Sequence, residues 1–134
     1  MLEDSALTVT YHHNAFRNVD SGPRVRWGFA HVYNNRFQTV NIFGVVSTSA
    51  ALVNVAHNVF EDVTVPIATH YQDPTDGTMI EAGDQFSPAF AIDIMRPTMA
   101  VAPIPYSFNP DDVESVQALV PSCTGTGKIT LPAP

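Results

Sequence analysis

Alternating apolar and polar residues occupy the first half of the chain in short runs, and three of these runs end in the same way. Each begins with β-branched or aromatic residues and then reads His or Asn, Asn, one further residue and Phe. The copies are Tyr11–Phe16, Val32–Phe37 and Val55–Phe60. No long stretch of this region has the helical period of 3.6 residues. The pattern therefore predicts short strands.

The spacing of the copies indicates a repeating architecture. Their asparagines are 21 and 23 residues apart, a length that suits one coil of a β-solenoid. Inward and outward side chains should alternate along each strand. Alignment of the copies gives two apolar columns, Val9–Ala30–Val53 and Tyr11–Val32–Val55, and between them a polar column, Thr10–His31–Asn54. A chance similarity among three strands of a sandwich is the alternative.

Two more columns are predicted at the turn after each strand. The repeated asparagines are expected to form a ladder, because Asn tolerates the left-handed conformation and its amide group reaches the next coil. The phenylalanines are expected to stack inside the coils. The ladder consists of Asn14, Asn35 and Asn58, and the stack of Phe16, Phe37 and Phe60.

The pattern loosens after Phe60. Residues 63–71 and 78–86 have the composition of further strands, whereas residues 87–110 are rich in proline and predict an extended segment. A short helix is expected from Asn109, its cap, to about Val120, ending before Pro121. The predicted fold is all-β: a parallel β-helix of about four coils over residues 1–86. Residues 87–134 are predicted to form a C-terminal extension whose short helix packs on the solenoid.

Charge narrows the range of partners. The chain has 6 basic and 13 acidic residues and a net charge of −7, which disfavours nucleic acid as a partner. Four basic residues lie close together with Asp20 as the only acid among them: Arg17, Arg24, Arg26 and Arg36. Such a basic patch suits an anionic ligand, and unrelated surface arginines are the alternative. No apolar run reaches membrane-spanning length, and residues 1–10 lack the features of a signal peptide.

Five short segments of the chain resemble a known protein family. Val9–Asn14, Gly22–Gly28 and His31–Asn35 resemble, in order and spacing, the pectate lyases of polysaccharide lyase family 1, as do Asn58–Phe60 and Pro105–Phe108. The resemblance implies a right-handed parallel β-helix that cleaves pectate or pectin by β-elimination, usually with calcium, in a secreted protein. The chain would correspond to the last four or so coils of that fold.

The resemblance also assigns residues. The family's base arginine opens an Arg-x-Pro-x-x-Arg motif, of which Pro23 and Arg26 match the second half while Ser21 stands at the first position. An alignment with one residue deleted in this stretch also lacks that arginine. Arg26 matches the motif's second arginine, which implies contact with a substrate carboxylate. The family's substrate lysine and calcium-binding aspartates belong to earlier coils, so no calcium ligands are assigned; Glu3 and Asp4 match a linker.

Arg24 is the second candidate in this motif. It lies two positions before Arg26 on one strand, so both side chains should project to the same outer face. Arg24 is therefore a candidate substrate-binding residue and a candidate replacement for the missing base. A structural salt bridge is the alternative role for Arg26. Arg17 and Arg36 are interpreted as solvated turn residues.

Other polar residues are given structural roles. His13 and His57 share a column two coils apart, too far to bind one metal ion. Asp73 and Asp76 are interpreted as loop acids, because no pair of carboxylates is identified on one outer face, as glycoside hydrolysis would require. No metal site is assigned.

The functional prediction is a protein of the pectate lyase type that acts on galacturonan, an anionic polysaccharide. Catalysis by this chain alone is not expected, because the base arginine and the upstream calcium site are missing. A non-catalytic galacturonan-binding or structural β-helix remnant is the competing hypothesis. The first coil, over residues 7–16, has no neighbour on one side, which predicts association with a second copy through that open coil.

Overall fold

The strands of the computed structural model, which describes residues 7–88, 104–125 and 128, run in parallel coils. The strands are β1 (Thr8–His12), β2 (Ala15–Ser21), β3 (Arg24–Arg26), β4 (Phe29–Tyr33), β5 (Arg36–Thr48), β6 (Leu52–Ala56), β7 (Val59–Ala68), β8 (Thr78–Ala82) and β9 (Gln85–Ser87), and one helix, α1, spans Val113–Cys123. No helix among the described residues has the length and apolar character needed to cross a bilayer.

The strands form two parallel sheets. One has the order β1-β4-β6-β8 and the other the order β2-β5-β7-β9, with β3 also paired to β5. Each strand thus pairs with its equivalent in the next coil, as a β-solenoid requires. The fold is a right-handed parallel β-helix, and the prediction is confirmed.

The predicted columns match the register of the strands. Thr10 pairs with His31 and His31 with Asn54, while the neighbouring apolar columns are formed as aligned. The phenylalanine stack continues one coil further than predicted, through Phe86. Ring centroids lie 4.7, 4.7 and 5.2 Å apart along the series Phe16, Phe37, Phe60 and Phe86.

The asparagines lie in one column and contact each other from coil to coil. The Asn35 Oδ1 accepts from the backbone N and Nδ2 of Asn14 at 3.0 and 2.9 Å. Asn58 Oδ1 accepts from the same two groups of Asn35 at 2.9 and 3.0 Å. Asp84 continues the column, since its Oδ1 accepts from the backbone N of Asn58 at 2.6 Å and from Nδ2 at 2.8 Å.

The left-handed conformation lies one residue earlier than expected. His13, Asn34 and His57 have φ values of 53°, 51° and 53°, and Gly83 has a φ of 71°. The ladder residues are not among those with positive φ. The turn therefore bends at the preceding residue, and the ladder side chain is free to hydrogen bond along the column.

The bounds of α1 differ from the prediction. Asp112, not Asn109, is the N-cap, because its Oδ1 accepts from the backbone N of Ser115 at 2.7 Å. The helix also continues through Pro121 to Cys123. A proline in the last turn removes one N–H donor, and the carbonyl of Gln117 that would have accepted from it is instead 3.4 Å from Nη1 of Arg36.

Arg36 is an anchor for this helix rather than a solvated turn residue. Its Nη2 is 2.7 Å from Oε2 of Glu61, and both side chains are largely buried. Glu61 in turn accepts from Nε2 of Gln117 at 2.7 Å. The apolar contact beneath α1 consists of Val59, Val116 and Val120.

The described part of the C-terminal extension also contacts the coils. The hydroxyl of Tyr106 shares hydrogen bonds of 2.8 Å with Thr10 and with Nδ1 of His31. Burial lowers the pKa of His31 to about 4, and the neighbouring His12 adds to this effect. His31 is therefore neutral at physiological pH. Most of the predicted extended segment, residues 89–103, lies outside the described residues, as do Glu3 and Asp4.

Candidate substrate-binding site

The candidate site is built on β3. Arg24 and Arg26 point outward on this three-residue strand, while Val25 between them is 6% exposed and belongs to the core. The alternation follows from the two-residue period of a strand. The prediction that both arginines share one face is confirmed, since both guanidinium groups approach the same carboxylate, that of Asp73.

Arg26 is a half-exposed cation held at one side only. Its Nη2 is 3.0 Å from Oδ2 of Asp73, and its Nε donates to Oγ of Ser49 at 3.4 Å. The guanidinium carbon lies 4.7 Å from the ring centroid of Trp27, within the range of a cation–π contact. Its side chain keeps 48% of its surface exposed.

Arg24 is held more tightly. Its Nη2 donates to the backbone carbonyl of Tyr71 at 2.7 Å and lies 3.7 Å from Oδ2 of Asp73. Its guanidinium carbon is 5.5 Å from the Tyr71 ring centroid. Both oxygen partners stabilise the charged guanidinium, so this geometry favours holding an anion over removing a proton.

Asp73 contacts both arginines; it lies in a loop, as predicted, but its side chain is buried. Its side chain is 3% exposed, and Oδ2 also accepts from Oγ of Ser49 at 2.8 Å. The pKa of the Asp73 carboxyl is lowered, first by the Ser49 hydroxyl, then by the N–H of Thr75 and the charges of Arg26 and Arg24. The carboxylate is therefore ionised and leaves the cluster with one net positive charge.

A shallow cleft of about 330 Å³ opens beside this cluster. An exposed cation next to an aromatic ring and hydroxyl groups can bind a polar ring that carries a carboxylate. The lining residues are Arg26, Trp27, Ser49, Ala50, Asp73, Pro74 and Thr75.

The other two arginines do not join this site. Arg17 and Arg36 line a different cleft, beside the end of α1, and Arg36 is paired with Glu61. The expectation of one basic patch is therefore wrong. Arg17 lies on β2 and Arg36 on β5, whereas Arg24 and Arg26 share β3, so closeness in sequence did not bring the four together.

Ser21 ends β2, where it pairs with Phe43. Its neighbour Gly22 approaches the next coil so closely that a Cβ there would lie 2.0 Å from the carbonyl oxygen of Gly44. Ser21 thus carries a short hydroxyl side chain beside a tightly stacked turn. Among the described residues, no group of three His, Cys, Asp or Glu side chains is placed to hold a metal ion.

Sequence reasoning missed three contributors to the site. Tyr71 and Asp73 lie in a loop that the sequence showed only as rich in turn residues, and nothing in its pattern indicated that it folds over β3. Ser49 precedes the third repeat without any distinguishing neighbour. Asp84 was also missed, although Asp84-Gln85-Phe86 imitates the Asn-x-Phe pattern of the earlier copies.

The coils and the paired arginines define a parallel β-helix protein with a small cationic cluster on its outer surface. A family model described as pectate lyase matches residues 3–129, and the chain belongs to the pectate lyase family. It is 32% identical over 123 residues to a pectate trisaccharide-lyase of Bacillus licheniformis, a match that covers 91% of this chain and 36% of the relative. The chain thus spans little more than a third of that relative's length.

Solved structures share the fold. A pectate lyase of Bacillus sp. N165 in complex with trigalacturonate is 23% identical, with a TM-score of 0.80 over 97% of this chain and 44% of that one. Pectate lyase C of Erwinia chrysanthemi, with calcium, is also 23% identical, with a TM-score of 0.77 over 93% of this chain and 41% of that one.

Proposed function

We propose that this chain forms the part of a pectate lyase fold that binds galacturonan, with Arg26 and Arg24 contacting the carboxylates of the polysaccharide. The observation that carries the proposal is the pair of outward guanidinium groups beside the Trp27 cleft. Arginine binds carboxylates through charge-assisted hydrogen bonds. The related Bacillus structure with trigalacturonate supports the choice of ligand.

The reaction we propose for the whole fold is β-elimination. It requires a base at the proton next to the uronate carboxylate and cationic groups that stabilise the charge developing there. Arg26 and Arg24 supply cationic groups. Arg24 is the one candidate base in the motif. Its contacts with two oxygen acceptors keep the guanidinium charged, so the role of base is less favoured for Arg24 than the role of binding substrate. We therefore expect this chain alone to bind galacturonan without cleaving it.

Calcium is part of the proposal only by family analogy. The related Erwinia structure was obtained with calcium, but the described residues of this chain offer no cluster of acidic groups that fits the ion. No step is assigned to a metal held by these residues.

An extracellular location is proposed on the same family grounds. Association of two copies through the first coil is proposed from the open edge of β1 and β2.

Calorimetric titration of the 134-residue chain with unesterified oligogalacturonate tests the binding proposal. We expect measurable affinity that weakens as salt rises, and a loss of about tenfold or more in Arg26→Ala, since a charge-assisted contact contributes about 1.5–3 kcal/mol. Arg17→Ala removes the same charge from a different cleft and should leave the affinity unchanged. An Arg26→Ala protein that binds as well as the wild type would refute the proposal.

Ultraviolet absorbance of the unsaturated products separates binding from catalysis. With polygalacturonate and calcium, no increase is expected from this chain. A reproducible increase that disappears in Arg24→Ala would show that the chain cleaves galacturonan and that Arg24 takes part in the reaction.

A further inference from the structure

We propose that Asp73 is a positioning residue of this site, whose buried carboxylate holds the guanidinium groups of Arg24 and Arg26 in the orientation that an anionic ligand requires. The inference rests on the proposed galacturonan-binding function and adds a residue to it. Asp73 lies in the loop after β7 and lines the cleft, but its side chain is 3% exposed and would act through the arginines.

The geometry around one carboxylate oxygen supports this role. Oδ2 of Asp73 is 3.0 Å from Nη2 of Arg26, 2.8 Å from Oγ of Ser49 and 3.7 Å from Nη2 of Arg24. The other oxygen, Oδ1, accepts from the backbone N of Thr75 at 3.3 Å, which fixes the carboxylate within its own loop.

The buried carboxylate and the exposed guanidinium groups are suited to different roles. The Asp73 side chain is 3% exposed, whereas those of Arg24 and Arg26 are 28% and 48% exposed. Each guanidinium has five N–H donors, and those of Arg26 directed to Asp73 and Ser49 are Nη2 and Nε. Donors remain for a ligand, and the entropy of ordering a long side chain is already spent before the ligand arrives.

Positioning and simple charge neutralisation make opposite predictions. Asp73→Asn raises the positive charge of the cluster by one unit. If only charge mattered, a polyanion would bind the variant more tightly. If the carboxylate positions the arginines, the variant binds more weakly despite its greater positive charge, because Arg26 loses its ion pair and Arg24 loses one of its two oxygen partners.

The deciding experiment is calorimetric titration of the wild type and Asp73→Asn with unesterified oligogalacturonate at low and moderate salt. We expect the variant to bind about tenfold more weakly. Asp62→Asn is the matched control: it makes the same charge change at an exposed site with a φ of 54°, a conformation that asparagine accepts, and should bind like the wild type. Equal or tighter binding by Asp73→Asn would overturn the proposal.

Two further measurements keep the test decisive. Ser49→Ala retains the carboxylate of Asp73 but removes the donor of its shortest hydrogen bond. This variant should weaken binding severalfold, and it provides a test if Asp73→Asn fails to fold. Arginine side-chain NMR needs no ligand: the Nη2 protons of Arg26, which face Asp73, should exchange with solvent slowly in the wild type and rapidly in Asp73→Asn. Unchanged exchange would refute the positioning role, whereas a wild type that binds no oligogalacturonate would refute only the proposed function.

Discussion

At the scale of single residues, Asp84 takes the place of an asparagine in the ladder. Its Oδ1 accepts from Asn58 in the same way as the earlier rungs accept from one another. In those rungs the other side-chain atom is Nδ2, which donates to backbone carbonyls, for example from Asn35 to Tyr33 and Tyr11 at 3.0 Å. Oδ2 of Asp84 is buried without a hydrogen-bond partner, and only a protonated carboxyl can donate there as the amide does.

Electrostatics agree with a protonated Asp84. Burial raises the pKa of its carboxyl from 3.8 to about 8, and the charge of Glu81 adds to this effect, while hydrogen bonds from Asn58 oppose it. Glu81 also accepts from the backbone N of Asp84 at 3.1 Å. Between pH 3.8 and about 8, the native state thus retains a proton on Asp84 that the unfolded chain has released.

We predict that Asp84→Asn stabilises the protein in a manner that depends on pH. Below the unfolded pKa of 3.8 both states carry the proton, so the wild type keeps its full stability. As pH rises towards about 8, the unfolded state ionises first and the wild type loses stability. The variant should therefore match the wild type near pH 4 and exceed it by roughly a few kcal/mol near pH 8, measured by urea unfolding.

Asp62→Asn serves as the control in the same series. Because the Asp62 side chain is exposed, the stability of this variant should follow that of the wild type at every pH. A stability difference between Asp84→Asn and the wild type that is constant from acid to alkaline pH would contradict the protonated rung.

At the scale of elements, α1 is attached to the coils by a small apolar contact with polar groups around it. Val116 and Val120 are each 1% exposed and pack on Val59. Arg36, Glu61 and Gln117 hold the rim of this contact. The helix is short, and such a helix depends on tertiary packing for its stability.

We predict that Val116→Ala lowers the free energy of unfolding by about 2 kcal/mol, because two buried methyl groups are lost. Leu119→Ala is the matched control, since Leu119 is 49% exposed and its truncation should cost little. Thermal unfolding followed by circular dichroism measures both. A Val116→Ala midpoint equal to that of the wild type would mean that α1 does not unfold together with the coils.

At the scale of the whole molecule, the first coil has a neighbour on one side only among the described residues. β1 and β2 stand at the ends of their sheets, Phe16 stacks on Phe37 alone, and Leu7 is 43% exposed. Unpaired backbone groups and an uncovered aromatic ring favour the addition of another strand layer.

We predict that the chain associates as its concentration rises, with the first coils of two copies in contact. Analytical ultracentrifugation should show this, and Phe16→Glu should reduce it by placing a charge on the uncovered ring position. Ile42→Glu, at a residue that is 39% exposed on the flank of the coils, should leave association unchanged. A monomer at every concentration would refute the prediction.

The sequence by itself determined the coils and their register. Strand alternation and a repeat of nearly constant length are local properties, so aligned copies reveal which residues stack. The columns of Val9, Thr10 and Tyr11 could be read before any coordinates, and so could the phenylalanine stack. The extension of the ladder to Asp84 was missed, because an acid in place of asparagine hid a fourth copy of the pattern.

Only the tertiary structure decided how the loops and the helix meet the coils. Arg24 and Tyr71 are separated by 47 residues, and no local pattern records that the loop after β7 folds back over β3. The pairing of Arg36 with Glu61, and the use of Pro121 within α1, depend on the same kind of contact. A coil repeats along the chain and leaves a signal there, whereas a single contact between distant segments occurs once and becomes apparent only when the chain is folded.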